Sequence, residues 1–476
     1  MTHRPLWTQD EIETVLTSKA SGDFSSATGV SIDTRTLETG DLFVALQDVR
    51  DGHDFVPQAF AKGAAAALVK SDKASALSSH GPVIGIDDPL RALQALGAHR
   101  RAQSQAKILA VSGSVGKTGT KEGLRVMLSS FAQTHAAAAS YNNHLGVPLT
   151  LARMPLEALY GVYEIGTNHP GEIAPLTAQV KPHVALLTTV EDVHIENFPS
   201  SEALADEKAS LYGGLVDGGV ALLPRDNRHY DRLHHFAKQL PNVRLLTFGA
   251  HAEADIRLLD ATLFPDQSRI RASVCGQTLA YDFGAPGQHL VSNSLAMIGC
   301  AYALGLDLEQ AGAALSAVRP PKGRGERQTL SGDGITFTLL DESYNANPAS
   351  MRAALALLAQ TPVGASGRRL AVLGDMLELG KDAESLHRAM ADAVEEHRID
   401  LVFAAGPLMR GLYEALPESR KGDWQERADA LFDPVFAALQ TGDVVMVKGS
   451  FSSRMGEVVK ALKARYSDGA VMRPHS

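Results

Sequence analysis

Short apolar runs separated by polar, helix-like stretches recur along most of the chain. "DLFVAL" (41–46) reads as a buried strand, and "FVPQAFAKGAAAALV" (55–69) as a helix, a glycine stop and a further strand. "DDPLRALQALGAHRRAQ" (87–103) opens on acidic cap residues with Pro89 in its first turn, the mark of a helix start. Apolar strands are then predicted at "KILAV" (107–111), "YGVYEI" (160–165), "HVALLTTV" (183–190) and "GGVALLP" (218–224), with helical stretches between them. Short apolar strands alternating with helices predict a parallel sheet covered on both faces. The cluster "VRPPKGRGERQ" (318–328) interrupts the pattern as a linker. Beyond it the alternation resumes at "ITFTLLD" (335–341), "RLAVLG" (369–374), "DLVFAAG" (400–406) and "DVVMVKGS" (443–450), which predicts a second, smaller doubly wound sheet.

Composition narrows the class. At ~150 residues per domain, 476 residues suggest three domains. Hydrophobic residues at 45% and charged residues at 21% are ordinary for a folded protein with a buried core. A net charge of -9 leaves no broad basic face for nucleic acid, although a local basic pocket for an anionic ligand remains open. Cys275 and Cys300 show neither metal spacing nor a disulfide framework, so both are expected to be small core residues. The start, "MTHRPLWTQDEIETVL", is polar and acidic, unlike a secretory signal, and no run approaches the ~18 apolar residues of a membrane helix. A cytoplasmic protein with no membrane partner is expected, and a monomer.

The candidate chemistry starts at "AVSGSVGKTGTKE" (110–122). The usual phosphate-binding pattern, G-x-x-x-x-G-K-[ST], would put its first glycine at 111, which is Val111. Gly113 takes that place, which shortens the loop to G-x-x-G-K-T. A strand runs straight into the loop, and a helix with Leu124, Met127 and Leu128 on one face follows it. A tight turn with a solvated Lys117 is the alternative, but this context favours a nucleotide site formed by Gly113, Ser114, Val115, Gly116, Lys117, Thr118 and Gly119. Backbone N–H groups at the helix start would hold phosphate oxygens, Lys117 would neutralise them, and the Thr118 hydroxyl would bind Mg²⁺.

Other polar residues stand at neighbouring strand ends. Glu164 closes "YGVYEI", where α/β sheets place ligands, and reads either as a surface carboxylate or as a Mg²⁺ ligand. His194 in "TTVEDVHIENF" (188–198) reads on its own as a structural residue, and Lys208 in "SEALADEKASLY" as a solvated helix lysine. In "DESYNANPASMRAAL" (341–355) Asn347 caps a helix whose first residue is Pro348. Tyr344, Asn345 and Asn347 crowd that strand end more than a capped turn requires.

Taken together these stretches resemble the Mur ligase family, the ATP-dependent amide-forming enzymes of peptidoglycan synthesis. The match runs through "SIDTRTLETGDLFVAL" (31–46), "GSVGKTGTKE" (113–122), "NNHLGVPLTLARMP" (142–155), "EIGTNHPGEIAPL" (164–176), "DESYNANPASM" (341–351), "LGDMLELG" (373–380) and "VKGS" (447–450), in family order. "SYNANP" with "GDMLELG" resembles the branch that adds D-alanyl-D-alanine to UDP-N-acetylmuramoyl-tripeptide, and the short P-loop is the family's own form.

The resemblance implies an α/β protein of three domains: a UDP-substrate-binding domain (1–86), a central parallel-sheet P-loop ATPase domain (87–318) and a C-terminal Rossmann-like ligase domain (319–476). It implies ATP and two Mg²⁺ ions, with Lys117 on phosphates, Thr118 and Glu164 at the first ion, and His194 at the second. Lys208 matches the lysine that becomes carbamylated in this family. Thr34 would lie near the UDP end of the substrate, and Asn142 and Asn143 near its peptide. Asn293 would lie near adenine, and Arg324 and Asp341 at the phosphates and ribose. The third domain, with Tyr344, Asn345 and Asn347, would help seat the dipeptide. The chain departs from the family pattern at Leu290, which follows His289 where Asn is frequent, at Gly119 in place of Ser or Thr, and at Phe451 in place of a basic residue. Folylpolyglutamate synthetase, a sister ligase, shares the P-loop and lysine, but "SYNANP" and a UDP-type first domain argue against it. A non-catalytic muropeptide-binding relative would be expected to have lost Glu164, His194 or Lys208.

Overall fold

A computed structural model describes residues 5–47, 50–193, 195–264 and 266–468. Three sheets organise the molecule. The first is four-stranded and parallel, formed by Gly29–Ser31, Asp41–Val44, Ala66–Lys70 and Val83–Ile86 in that order. The helix Pro89–Gln103, capped by Asp88 as its sequence predicts, packs Leu93 and Leu96 into one core with Trp7, Val30 and Leu42. Leu149 and Ala152 of the helix Gly146–Ala152 join the same core, which ties the first sheet to the second.

The second sheet has nine strands, and Lys107–Ser112 lies inside it between Tyr160–Glu164 and Val184–Leu187. Val220–Pro224 and Arg244–Gly249 continue it in parallel register. Apolar cores cover both faces, as strands without a polar side require. The sheet then ends differently from the all-parallel expectation. Ile256–Leu263, Ser268–Val274 and Gln277–Phe283 form an antiparallel meander at one edge. Alternation in "SRIRASV" explains it, because Ile270 and Ala272 face the core while Arg269 and Arg271 face solvent. The turn of that meander also corrects one cysteine: Cys275 is exposed there with φ +47°, whereas Cys300 is buried as expected.

The third sheet is seven-stranded. Lys421–Gln425, Leu401–Ala405, Arg369–Gly374, Val444–Lys448 and Ile335–Glu342 run parallel, and Glu326–Gly332 and Ser467–Asp468 add antiparallel pairs at the far edge. The strand end Glu164 and the residues Ser114 and Thr188 just beyond two neighbouring strands of the second sheet, and the strand ends Glu342 and Lys448 of the third, line the two sides of one large cavity.

Candidate active site

The glycine loop joins the strand Lys107–Ser112 to the helix Lys117–Ser129. Its two glycines are where close approach demands them. Gly113 has φ +140°, and a Cβ there would collide with the Thr188 hydroxyl. Gly116 has φ +84°, and a Cβ there would sit 2.8 Å from Asn293 Nδ2. The loop is braced from the segment after Val184–Leu187. Thr188 Oγ1 donates to Val115 O at 2.6 Å, Ser114 Oγ donates to Glu191 O at 2.7 Å, and Glu191 N donates back to Ser114 Oγ at 2.8 Å. The Ser114 side chain therefore holds the loop's shape.

Lys117 Nζ donates to Gly113 O at 2.6 Å and Ser114 O at 3.3 Å. Burial pushes this ammonium down to about 8, with Glu164 opposing and Arg324 adding to the shift. Thr118 Oγ1 lies 2.9 Å from Ser140 Oγ, which in turn donates to Glu164 Oε1 at 3.4 Å. Asn142 Nδ2 donates to the same oxygen at 2.8 Å. Glu164 is 2% exposed, and its second oxygen, Oε2, has no hydrogen-bond partner among the described residues. A buried carboxylate oxygen left unpaired costs folding free energy unless another group meets it. Among the described residues no group of three or more His, Cys, Asp or Glu side chains is placed to hold a metal. One carboxylate and one hydroxyl beside a phosphate loop is instead the sparse donor set that suits Mg²⁺, which keeps waters and takes phosphate oxygens.

Lys208 sits on the helix Ser201–Ala209 and is 2% exposed. Burial pushes its ammonium well below the ordinary lysine range, Lys117 adds to the shift, and Glu207 opposes it. Glu207 accepts from Gly171 N at 2.7 Å and Ile173 N at 2.8 Å, which fixes the helix against the loop after Glu164. His194 lies outside the described residues. The residues just beyond it pack against the third domain's "GDMLELG" stretch, where a Cβ on Gly380 would stand 3.3 Å from Glu196 Cβ.

The opposite side of the cavity comes from the C-terminal sheet. Arg324 lies 4.0 Å over the Tyr344 ring, and that ring is 5.9 Å from Phe451, which is 75% exposed. Asn347 caps the helix Pro348–Gln360 by accepting from Ser350 N at 2.8 Å. Lys448 is buried; its Nζ donates to Asn345 O at 2.9 Å and faces Glu342 Oε2 at 3.4 Å. Burial pushes Lys448 down and Glu342 opposes the shift.

These groups enclose a cavity of ≈ 870 Å³. Of the residues singled out from sequence, Ser114 to Gly119, Asn142, Asn143, Glu164, Asn293, Arg324, Tyr344, Asn345 and Asn347 line it. Gly113 and Lys208 are not among its lining residues. Thr34 is remote in the first domain, where its Oγ1 donates to Gln58 Oε1 at 3.0 Å and its carbonyl accepts from Lys62. Asp341 is 3% exposed and accepts from the Ser343 hydroxyl at 2.6 Å, and it is the next residue, Glu342, that reaches the cavity. Sequence reasoning assigned no role to Ser140, Glu342 or Lys448. Lys448 carried a signal, as the first polar side chain at the end of a fully buried strand.

A glycine loop opening a helix at an inner strand end, with a lysine, a hydroxyl and an unpaired carboxylate converging on it, defines a multidomain P-loop α/β protein. Three family profiles follow one another along the chain: "Mur ligase family, catalytic domain" over 26–111, "Mur ligase middle domain" over 111–301, and "Mur ligase, glutamate ligase domain" over 323–451. The UDP-N-acetylmuramoyl-tripeptide–D-alanyl-D-alanine ligase of Escherichia coli is 32% identical, over 96% of this chain and 98% of its own. The ligase of the same name from a Synechocystis species is 34% identical, over 91% of this chain and 92% of its own. A crystal structure of MurF from Acinetobacter baumannii superposes with a TM-score of 0.82 at 27% identity, covering 96% of this chain and 99% of that one. The chain belongs to the Mur ligase family.

Proposed function

We propose that this protein ligates D-alanyl-D-alanine to UDP-N-acetylmuramoyl-tripeptide, with ATP cleaved to ADP and phosphate, to form UDP-N-acetylmuramoyl-pentapeptide for peptidoglycan. The reading is supported by full-length relatives of that name and by a single cavity that joins the glycine loop to the Tyr344–Asn347 loop. A carboxylate is a poor acylating agent, because its leaving group would be oxide. Attack of the tripeptide carboxylate on the γ-phosphorus of ATP expels ADP and leaves an acyl phosphate. The dipeptide amine then adds to the acyl carbon, and phosphate leaves from the tetrahedral adduct.

The chain's part is binding, orientation and charge. Backbone N–H groups at the start of Lys117–Ser129 and the Lys117 ammonium hold the phosphates. Arg324, whose charge already reaches Lys117, closes the phosphate end from the third domain. Asn142 and Asn143 face the tripeptide end, and Tyr344, Asn345 and Asn347 the dipeptide. Asn293, packed on Gly116, stands on the nucleotide side. Thr118 and Glu164 would hold one Mg²⁺, and His194 and a carbamylated Lys208 a second. Bound there, Mg²⁺ would offset the charge of phosphates and carboxylate held close together. Burial disfavours the Lys208 ammonium and so favours the neutral amine, the form that adds CO₂, and a carbamate there would supply oxygen donors suited to a hard cation.

Domains at 1–86, 87–318 and 319–476 accord with the three sheets. No helix among the described residues is long and apolar enough to cross a membrane. We further propose a cytoplasmic monomer serving wall synthesis, cell shape and division. A phosphate-release assay tests the activity. Release should need ATP, Mg²⁺, the UDP-tripeptide and D-alanyl-D-alanine together; equal release with glutamate and a folate in place of the last two moves the chain to the sister ligases.

A further inference from the structure

Lys121 has no role in the chemistry above, yet it is 0% exposed, four residues beyond Lys117 on the same helix. A buried ammonium costs folding free energy unless its three N–H groups are met. Here they are met by Ala137 O at 2.6 Å, Ala139 O at 3.4 Å and Glu122 Oε1 at 2.8 Å. Two of those acceptors belong to the stretch 137–145, which has no regular structure and carries exposed residues over much of its length. That stretch presents Ser140 to Thr118 and Asn142 to Glu164, and Asn143 to the cavity. Backbone carbonyls gripped by a side chain from the phosphate-loop helix leave the stretch little freedom to shift independently of that helix.

We propose that Lys121 is a positioning residue that straps the 137–145 loop to the phosphate-loop helix, so that Asn142 and Asn143 meet the tripeptide in register with the bound phosphates. The proposal rests on the ligase reading, so wild-type turnover with all four components is scored first; its failure would sink that reading and not this one.

The test compares wild type with Lys121→Met, which keeps length but has no donor, and Lys121→Arg, which restores a cationic N–H donor group. Lys121→Met should lose about a hundred-fold in kcat/KM for the UDP-tripeptide, the scale of a sub-ångström to ångström misplacement. Its Kd for a non-hydrolysable ATP analogue should stay within about threefold of wild type, because the phosphate loop is braced separately by Thr188 and Glu191. Lys121→Arg should recover most of the loss. Three results overturn the proposal: wild-type kcat/KM in Lys121→Met, an equal loss of nucleotide affinity and kcat/KM, or a Lys121→Arg no better than Lys121→Met. Should Lys121→Met not fold, Lys121→Leu, which also lacks a donor, replaces it under the same criteria.

Discussion

The central and C-terminal sides of the cavity are both built from parallel strand ends and each buries a lysine, Lys208 and Lys448, but beyond Lys448 the C-terminal side is the more open. On the central side the groups are buried and fixed. Glu164 and Lys208 are each 2% exposed, and Lys117 is held by its own loop carbonyls. On the C-terminal side Arg324, Tyr344 and Phe451 stack in a partly open row that ends in a 75% exposed ring. Burial raises the strength of each electrostatic contact and fixes geometry before substrate arrives. An open aromatic row contributes contact area and loses little when one member changes. The central side should therefore govern rate, and the C-terminal side affinity for the second substrate.

Substitutions on the central side are the strongest way to break this contrast. Lys208→Ala should reduce turnover on the order of a thousand-fold, as expected for loss of a metal ligand. Short carboxylic acids should partly restore it by filling the vacated space. UDP-substrate affinity should change little, since on the proposed reading its nucleotide end is held by the first domain. Wild-type turnover without added acid would return Lys208 to an ordinary helix lysine. Glu164→Gln keeps shape and removes charge. The Mg²⁺ concentration for half-maximal rate should rise by roughly a hundred-fold, equivalent to about 2.7 kcal/mol. An unchanged Mg²⁺ titration would leave the unpaired Oε2 without a metal.

Acid stability sharpens the contrast further. His135, on the strand leading into the 137–145 loop, places Nε2 2.8 Å from Thr150 O, and loss of water around the ring pushes it down to about 4. Its folded value lies below the ordinary ~6.5, so above that pH neither state holds the proton. As pH falls from ~6.5 toward 4 the unfolded chain takes up a proton that the fold refuses, and stability is lost. Urea midpoints at pH 7 and pH 5 should show wild type losing about 1–2 kcal/mol more than His135→Gln. Equal losses would mean the ring is as well hydrated as one at the surface. The smallest effect is expected at Phe451→Ala: unchanged kcat and a KM for the dipeptide raised about threefold, the ~0.5–1 kcal/mol of an exposed ring pair. A hundred-fold fall in kcat there would erase the distinction between the two sides.

The parallel strands were legible because their residues are apolar on both faces, and the glycine loop because its short spacing stands between a strand and an amphipathic helix. The antiparallel meander carried its own signal in the alternation of Ser268 to Val274, which a reading tuned to helix-linked strands passes over. Lys121 and Ser140 were harder. Lys121 grips two backbone carbonyl groups of a stretch without periodicity and Ser140 lies in that stretch itself, and backbone acceptors leave no trace in residue identity. Asp341 and Glu342 show the limit at single-residue scale: a strand end tells that one of two adjacent carboxylates faces the cavity, and only the pleat tells which.

The brace on the glycine loop has a thermodynamic consequence. Thr188, Ser114 and Glu191 hold the loop's shape with protein atoms alone. Fixing a backbone residue costs about 1–2 kcal/mol of conformational entropy, and here that cost falls on folding, so nucleotide binding does not carry it. The same segment, from Thr188 to Glu191, lies just before His194 in the sequence. A variant that frees Thr188, such as Thr188→Val, should make nucleotide binding more costly in entropy while leaving its direct phosphate contacts in place.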